Sequence, residues 1–301
     1  MKKINNYVWV VGALLLLLAC KNDKPRASHE LILCGDNKVW IIDKDASEGE
    51  DVKVLWQWEN SELKGVLPEA YQRYLGTMDE CKFVDNNTKV LLTASSGGVV
   101  LLDRATKECL FYTYSPMAHS ADLLPGNRIA VALSTHPQGN SLELYDIDKP
   151  ETVIWKDTLY SGHGSVWMEN RNRYYALGFN ELREYSLQDW TTATPQLKLE
   201  RTWTIPHRGG HDLMAISDNE LILSDHDGVS IFNIDSESFS PFEPLATTHN
   251  IKSVNYNPET NALIYTVAEE SWWTFNIYMK NPEKTIHIPD IKIYKVRTNP
   301  F

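Results

Sequence analysis

The sequence predicts an all-β chain folded as a β-propeller, and three observations carry that prediction. Almost no segment repeats apolar residues with a helical period, whereas short runs rich in Val, Ile, Leu, Tyr and Trp alternate with Gly, Asn, Asp and Pro. A hairpin pattern, strand then polar turn then strand, recurs at the interval of a propeller blade. A surplus strand near residue 291 matches a first unit that lacks its inner strand, so the two would close a ring.

In chain order, the N-terminus comes first. Lys2 and Lys3 precede the apolar run YVWVVGALLLLLAC, which reads as a signal peptide over residues 1–19. Leu17, Leu18 and Ala19 before Cys20 resemble the bacterial lipobox, in which the cysteine carries lipid; an ordinary secretory signal ending in Cys is the alternative. Lys21, where Asp would mark inner-membrane retention, favours an outer-membrane lipoprotein on the periplasmic or cell-surface side, with the lipid as its membrane contact. Residues 20–29 then read as a polar tether, and residues 30–301 as one propeller domain.

The hairpin LILCGDNKVWIID starts at residue 31 and is matched by runs starting at 90, 129, 174, 221 and 263. From residue 90 onward those starts lie 39, 45, 47 and 42 apart. The first interval is longer by VLPEAYQRYL, residues 66–75, the one predicted helix, with Pro68 in its first turn. Strand-like segments DECKFVD, SADLLPG, GSVWMEN, HDLMAIS and IKSVNYN precede the hairpins, and VKVLWQW, ECLFYTY, ETVIWKD, KLERTWTI, SFSPFEPL and KTIHIP follow them. Four antiparallel strands per unit make one blade. With IKIYKVR, residues 291–297, joining the first unit, the count favours six blades; a seventh hidden in residues 44–76 or 238–248 is the alternative.

Removing residues 1–19 takes away Lys2 and Lys3 and moves the formal charge from -11 to -13, which argues against nucleic acid as a partner. Cys34, Cys81 and Cys109 leave room for one disulfide but not for a disulfide framework. Phosphate-loop, dinucleotide, nucleophile-elbow and zincin motifs are absent. A monomeric chain is expected.

In an up-and-down blade, the loop leading into the first strand and the turn joining the second and third lie on one face. That face should gather Asp79, Glu80, His119, His163, His211, His249 and Lys252 from the first set. The second set brings Ser95, Ser96, Thr135, His136, Asn180, Glu181, Asp225, His226, Glu269, Glu270, Trp272 and Trp273. With His207, seven of the nine histidines fall there. His119, His163 and His211 can converge on one divalent cation such as Mn, Zn or Ca, with Glu80 completing the shell. They can equally bond a neighbouring blade's backbone, or serve as metal-free catalytic or binding groups. His136, His226, Glu269, Trp272 and Trp273 are candidate ligand contacts, the tryptophans as platforms for a sugar ring; the alternative is packing against the next blade. Arg208, beside Gly209 and Gly210, is the candidate for meeting an anionic ligand.

The lipobox together with DECKFVDNNTKVLLTASSGGVVLLDR, AHSADLLPGNRIAVA, GGHDL, SVNYNPETNALIYTVAEESWWT and YKVR resembles a family of secreted bacterial propeller proteins of unassigned function. More distantly, the histidine-bearing face is similar to propeller polysaccharide lyases of the oligogalacturonate and rhamnose-glucuronate types. The resemblance implies a manganese-type ion held by three histidines and a glutamine; His119, His163 and His211 correspond by position, and no glutamine does. It also implies β-elimination on a uronate-containing oligosaccharide. Arg208 or a cation would neutralise the carboxylate, and His211 or Lys252 would take the proton. The competing reading is a lipid-anchored propeller that binds a glycan or protein without chemistry.

Overall fold

The computed structural model describes residues 29–298, so the signal segment, Cys20 and nearly all of the tether lie outside the described residues. The described chain forms six antiparallel sheets of four strands each. The first blade orders its strands Ile293–Thr298, Glu30–Gly35, Lys38–Asp43 and Val54–Glu59, so the surplus strand closes the ring as expected. The other five run consecutively outward from Met78–Val84, Ala118–Leu124, Gly164–Met168, Asp212–Ser217 and Ile251–Asn257. These inner strands touch their neighbours all round the ring.

Six blades are therefore present, and the seventh considered above is not among the described residues. Residues 44–76 hold only a 3-10 turn, Asn60–Leu63, and a single helical turn, Tyr71–Tyr74, beyond the outer strand of the first blade. The predicted helix over 66–75 is thus mostly loop. Its apolar residues Leu67, Tyr71, Tyr74 and Leu75 still pack on the seam between the first two blades, but only Tyr71–Tyr74 is wound as a helical turn.

The blades are joined by apolar seams. Six buried clusters each lie between two adjacent blades. In the strand Glu30–Gly35, Ile32 and Cys34 enter the seam with the second blade, while Leu31 and Leu33 enter the seam with the sixth. Alternate side chains point to opposite sheet faces, and both faces of a blade are covered. That explains why these strands read as unbroken apolar runs.

Candidate functional site at the channel mouth

One structural device repeats in every blade and positions the candidate site. The inner strand carries an extra residue at the end nearest the mouth of the central channel. Register shifts leave Asp79 between Met78 and Glu80, His119 between Ala118 and Ser120, and Lys252 between Ile251 and Ser253. In the first blade the shift falls on Tyr294, between Ile293 and Lys295. The other two blades show the same two-against-one pairing. His163 N–H donates to the Leu177 carbonyl, opposite Gly164, and His211 N–H donates to the Ser224 carbonyl, opposite Asp212. A bulge re-aims a side chain out of the pleat. Six bulges therefore form one ring: Asp79, His119, His163, His211, Lys252 and Tyr294.

Contacts run round this ring. His119 Nε2 lies 3.7 Å from Asp79 Oδ1, and the His119 ring meets Tyr294 edge-on at 6.2 Å between centroids. His119 and His163 are 4.3 Å apart, and His163 and His211 5.4 Å. Lys252 Nζ donates to His211 Nε2 at 2.8 Å. His226, from the turn between the second and third strands of the fifth blade, extends the row 5.0 Å beyond His211. Its ring lies so close to Gly209, at φ +78°, that a Cβ there would fall 2.3 Å from Nε2, so only glycine fits.

Hydrogen bonds fix the ring protons. His119 Nδ1 and His163 Nδ1 donate to the carbonyls of Met117 and Ser161, at 2.9 Å each, leaving both Nε2 atoms as acceptors. His211 is different. Its Nε2 accepts from Lys252, and its Nδ1 is buried without a partner among the described residues. Burial, reinforced by the neighbouring His119 and His211, holds the His163 pKa well below the usual histidine value. Burial and then Lys252 do the same for His211. Lys252, desolvated and close to Lys295, is pulled down to about 8. Burial raises the Asp79 carboxyl, only partly offset by His119 and Ser95.

One residue deeper lies a fully buried charged layer. Arg297 forks onto Asp212, Nη1 to Oδ2 at 2.9 Å and Nη2 to Oδ1 at 2.5 Å, and its Nη2 also reaches Glu80 at 2.7 Å. Lys295 Nζ stands 3.1 Å from Asp212 and 3.5 Å from Glu80. Burial alone would raise both carboxyls, but Arg297 and Lys295 outweigh it and hold Asp212 and Glu80 below their ordinary values. Sequence reasoning did not single out Asp212, Lys295 or Arg297. Their signal was present: charged residues two apart, Lys295 and Arg297, stand in a strand otherwise committed to a ring interior.

The cation implied by the lyase resemblance does not fit this donor set. Glu80, expected as a ligand, is occupied by Arg297, Lys295 and the Ser120 hydroxyl at 2.9 Å. His211 Nε2 is taken by the Lys252 ammonium, and a second ammonium, Lys295, lies against the His163 carbonyl, where a dication would need negative charge. With the His119 and His163 Nε2 atoms left as acceptors, the group at the mouth that suits an anion is the Lys252 ammonium.

The remaining predicted residues divide. His226 joins the row, whereas His136 is engaged within its own turn, its Nδ1 accepting from Gln138 N–H at 3.1 Å. Arg208 is exposed in the loop before His211, its carbonyl accepting from His226 N–H. Glu269 faces its own blade, bound by Thr274, Tyr278 and, at 2.9 Å, Asn276. Trp273 packs on Phe275 with Lys292 over its face, while Trp272 stands 55% exposed. Both tryptophans lie in the loop between Ala262–Val267 and Asn276–Lys280 rather than in a strand. Cys34, Cys81 and Cys109 are free thiols.

Comparison with known proteins places this fold in a family. A family described as "Family of unknown function (DUF6528)" matches residues 16–299. The chain belongs to DUF6528. No curated protein matches it. Among solved structures, this DUF6528 propeller is similar to a protein of unknown function from Bacteroides caccae. The TM-score is 0.57 at 13% identity, over 90% of this chain and 99% of that one. It is also similar to the WD40 β-propeller domain of Doa1, with a TM-score of 0.54 at 12% identity over 79% of this chain and 71% of that one. At such identities the likeness is one of fold.

Proposed function

We propose that the DUF6528 propeller recognises a carboxylate-bearing saccharide at its ring of bulge residues, and that a uronate bound there undergoes β-elimination. The observation that carries this reading is the Lys252–His211 pair. It is a mostly buried amine 2.8 Å from a neutral imidazole, with no carboxylate partner for Lys252 among the described residues. A buried ammonium lacking a counter-ion is a place where a ligand's anion is stabilised. Arg208 at the rim adds an exposed guanidinium that can pair with a second anionic group.

The same pair supports proton abstraction. With its pKa near 8, Lys252 is partly unprotonated at neutral pH. The free amine takes the C5 proton of the uronate, the electron pair left behind forms the C4=C5 double bond as the C4–O bond breaks, and the departing oxygen takes its proton from the resulting Lys252 ammonium. The product is a 4,5-unsaturated uronate. Cys20 would tether the propeller by lipid to the outer membrane, beside extracellular glycan, as a monomer.

Incubation with oligogalacturonate and with glucuronate-containing glycans tests the chemistry through the ultraviolet absorbance of the conjugated product. Activity that rises with pH through about 8 and disappears in Lys252→Met is expected. Saturable uronate binding without product would leave the binder and remove the lyase. Absence of binding to any uronate would sink both.

A further inference from the structure

Beside the His226 end of the row, and off the channel axis, the fifth blade gathers a second group of donors. His207 comes from the loop between the fourth and fifth blades, and Asp225 and Asp227 from the turn between the second and third strands of the fifth. One ligand atom from each lies within 4.8 Å of the others. Asp225 is completely buried, and its Oδ1 is locked by the backbone N–H groups of Asp227 at 2.9 Å and Gly228 at 3.0 Å. That leaves Oδ2 facing His207 Nδ1 at 3.2 Å. A second imidazole stands close by, His249 Nδ1 lying 3.4 Å from Asp227 Oδ1.

The charge in this corner is not balanced. Among the described residues no lysine or arginine pairs with Asp225 or Asp227; their ionic partners are the histidines alone. A buried carboxylate set against a second carboxylate is costly unless a cation joins them. We infer that His207, Asp225 and Asp227, with His249 alongside, bind one first-row transition-metal dication, Zn2+ foremost.

The donor chemistry selects the ion. Mixed imidazole and carboxylate ligands suit Zn2+ and its neighbours, whereas Ca2+ asks for six to eight oxygens, which this corner lacks. Asp225 is already oriented by its turn, as a supporting hydrogen bond orients a ligand in established metal sites. His207 and Asp227 are half-exposed, which leaves coordination positions open to water or to a ligand at the mouth. The inference does not depend on the uronate reading, since it uses none of the six ring residues.

The test is calorimetric titration of the untagged protein with Zn2+, Mn2+ and Ca2+, with elemental analysis after dialysis. One Zn2+ per chain is expected, with weaker Mn2+ and no competition from Ca2+. His207→Gln and Asp227→Asn, at exposed positions that leave the fold intact by circular dichroism, should each weaken Zn2+ binding about tenfold or more. His163→Ala should leave the stoichiometry unchanged. Three results would overturn the inference: no stoichiometric zinc, equal binding in the two corner variants, or loss of zinc in His163→Ala, which would move the ion to the channel axis.

Discussion

Asp79 and Glu80, His211 and Asp212, and Tyr294 and Lys295 are neighbours in sequence, yet each pair divides between two layers of the channel. The deeper layer pairs its charges with one another: Glu80 and Asp212 are matched by Arg297 and Lys295 in a compact lattice of ionic hydrogen bonds, with Arg297 Nε alone left without a partner among the described residues of that layer. The mouth layer is left open, with a buried imidazole nitrogen unpartnered and an ammonium facing an imidazole. The same strands thus build a support and a site, and the bulge is what separates them. The difference teaches that burial alone does not mark a functional group. What marks it here is a mostly buried ammonium, Lys252, with no carboxylate partner among the described residues.

Substitutions can break this contrast. The largest effect should come from the deep layer: Asp212→Ala leaves Arg297 and Lys295 short of counter-charge and should cost about 3–5 kcal/mol, read by denaturant unfolding. An equal loss from a mouth substitution would erase the distinction between layers. Lys252→Met, by contrast, should change stability by less than about 1 kcal/mol, because an ammonium with no carboxylate partner is replaced by a similar apolar volume. It should weaken uronate binding about tenfold or more, close to 1.4 kcal/mol, by calorimetry.

The pH dependence of stability sharpens the comparison further. His163 and His211 resist protonation when folded and regain ordinary values on unfolding. Below pH 6.5 the unfolded chain therefore binds protons that the folded chain refuses, and stability should fall as pH drops. Each histidine contributes a slope of up to about 1.4 kcal/mol per pH unit. Lys252 acts in another window: between about 8 and 10.5 the unfolded chain holds the extra proton, so stability should climb with pH. Urea titrations of wild type and His163→Gln should differ below pH 6.5 and agree above it. The smallest effect belongs to Trp272→Ala, within about 0.5 kcal/mol of wild type, since its side chain is largely exposed.

Much of this molecule was legible in its sequence, because blade strands are local and the turns between them are marked by Gly, Asn and Asp. The convergence of His119, His163 and His211 followed from their places relative to those strands. Two things were hidden. The bulges that aim them depend on which residue of the partner strand each one opposes, and register is a property of two segments together. The pairing of Glu80 and Asp212 with Arg297 and Lys295 joins positions more than 80 residues apart, so Glu80 read as a free ligand. His136 lies in its predicted turn, where its Nδ1 accepts from Gln138 N–H, a local bond the sequence does not announce.

The closing strand Ile293–Thr298 brings the counter-ions for carboxylates laid down long before it in the chain. Until that strand arrives, Glu80 and Asp212 lack the counter-charges of Arg297 and Lys295, and the buried layer of the ring is incomplete. Completion is thus written into the electrostatics. A chain still emerging from the ribosome stays short of its native state until its closing segment is free, and protease removal of that segment would undo the whole wheel rather than one spoke.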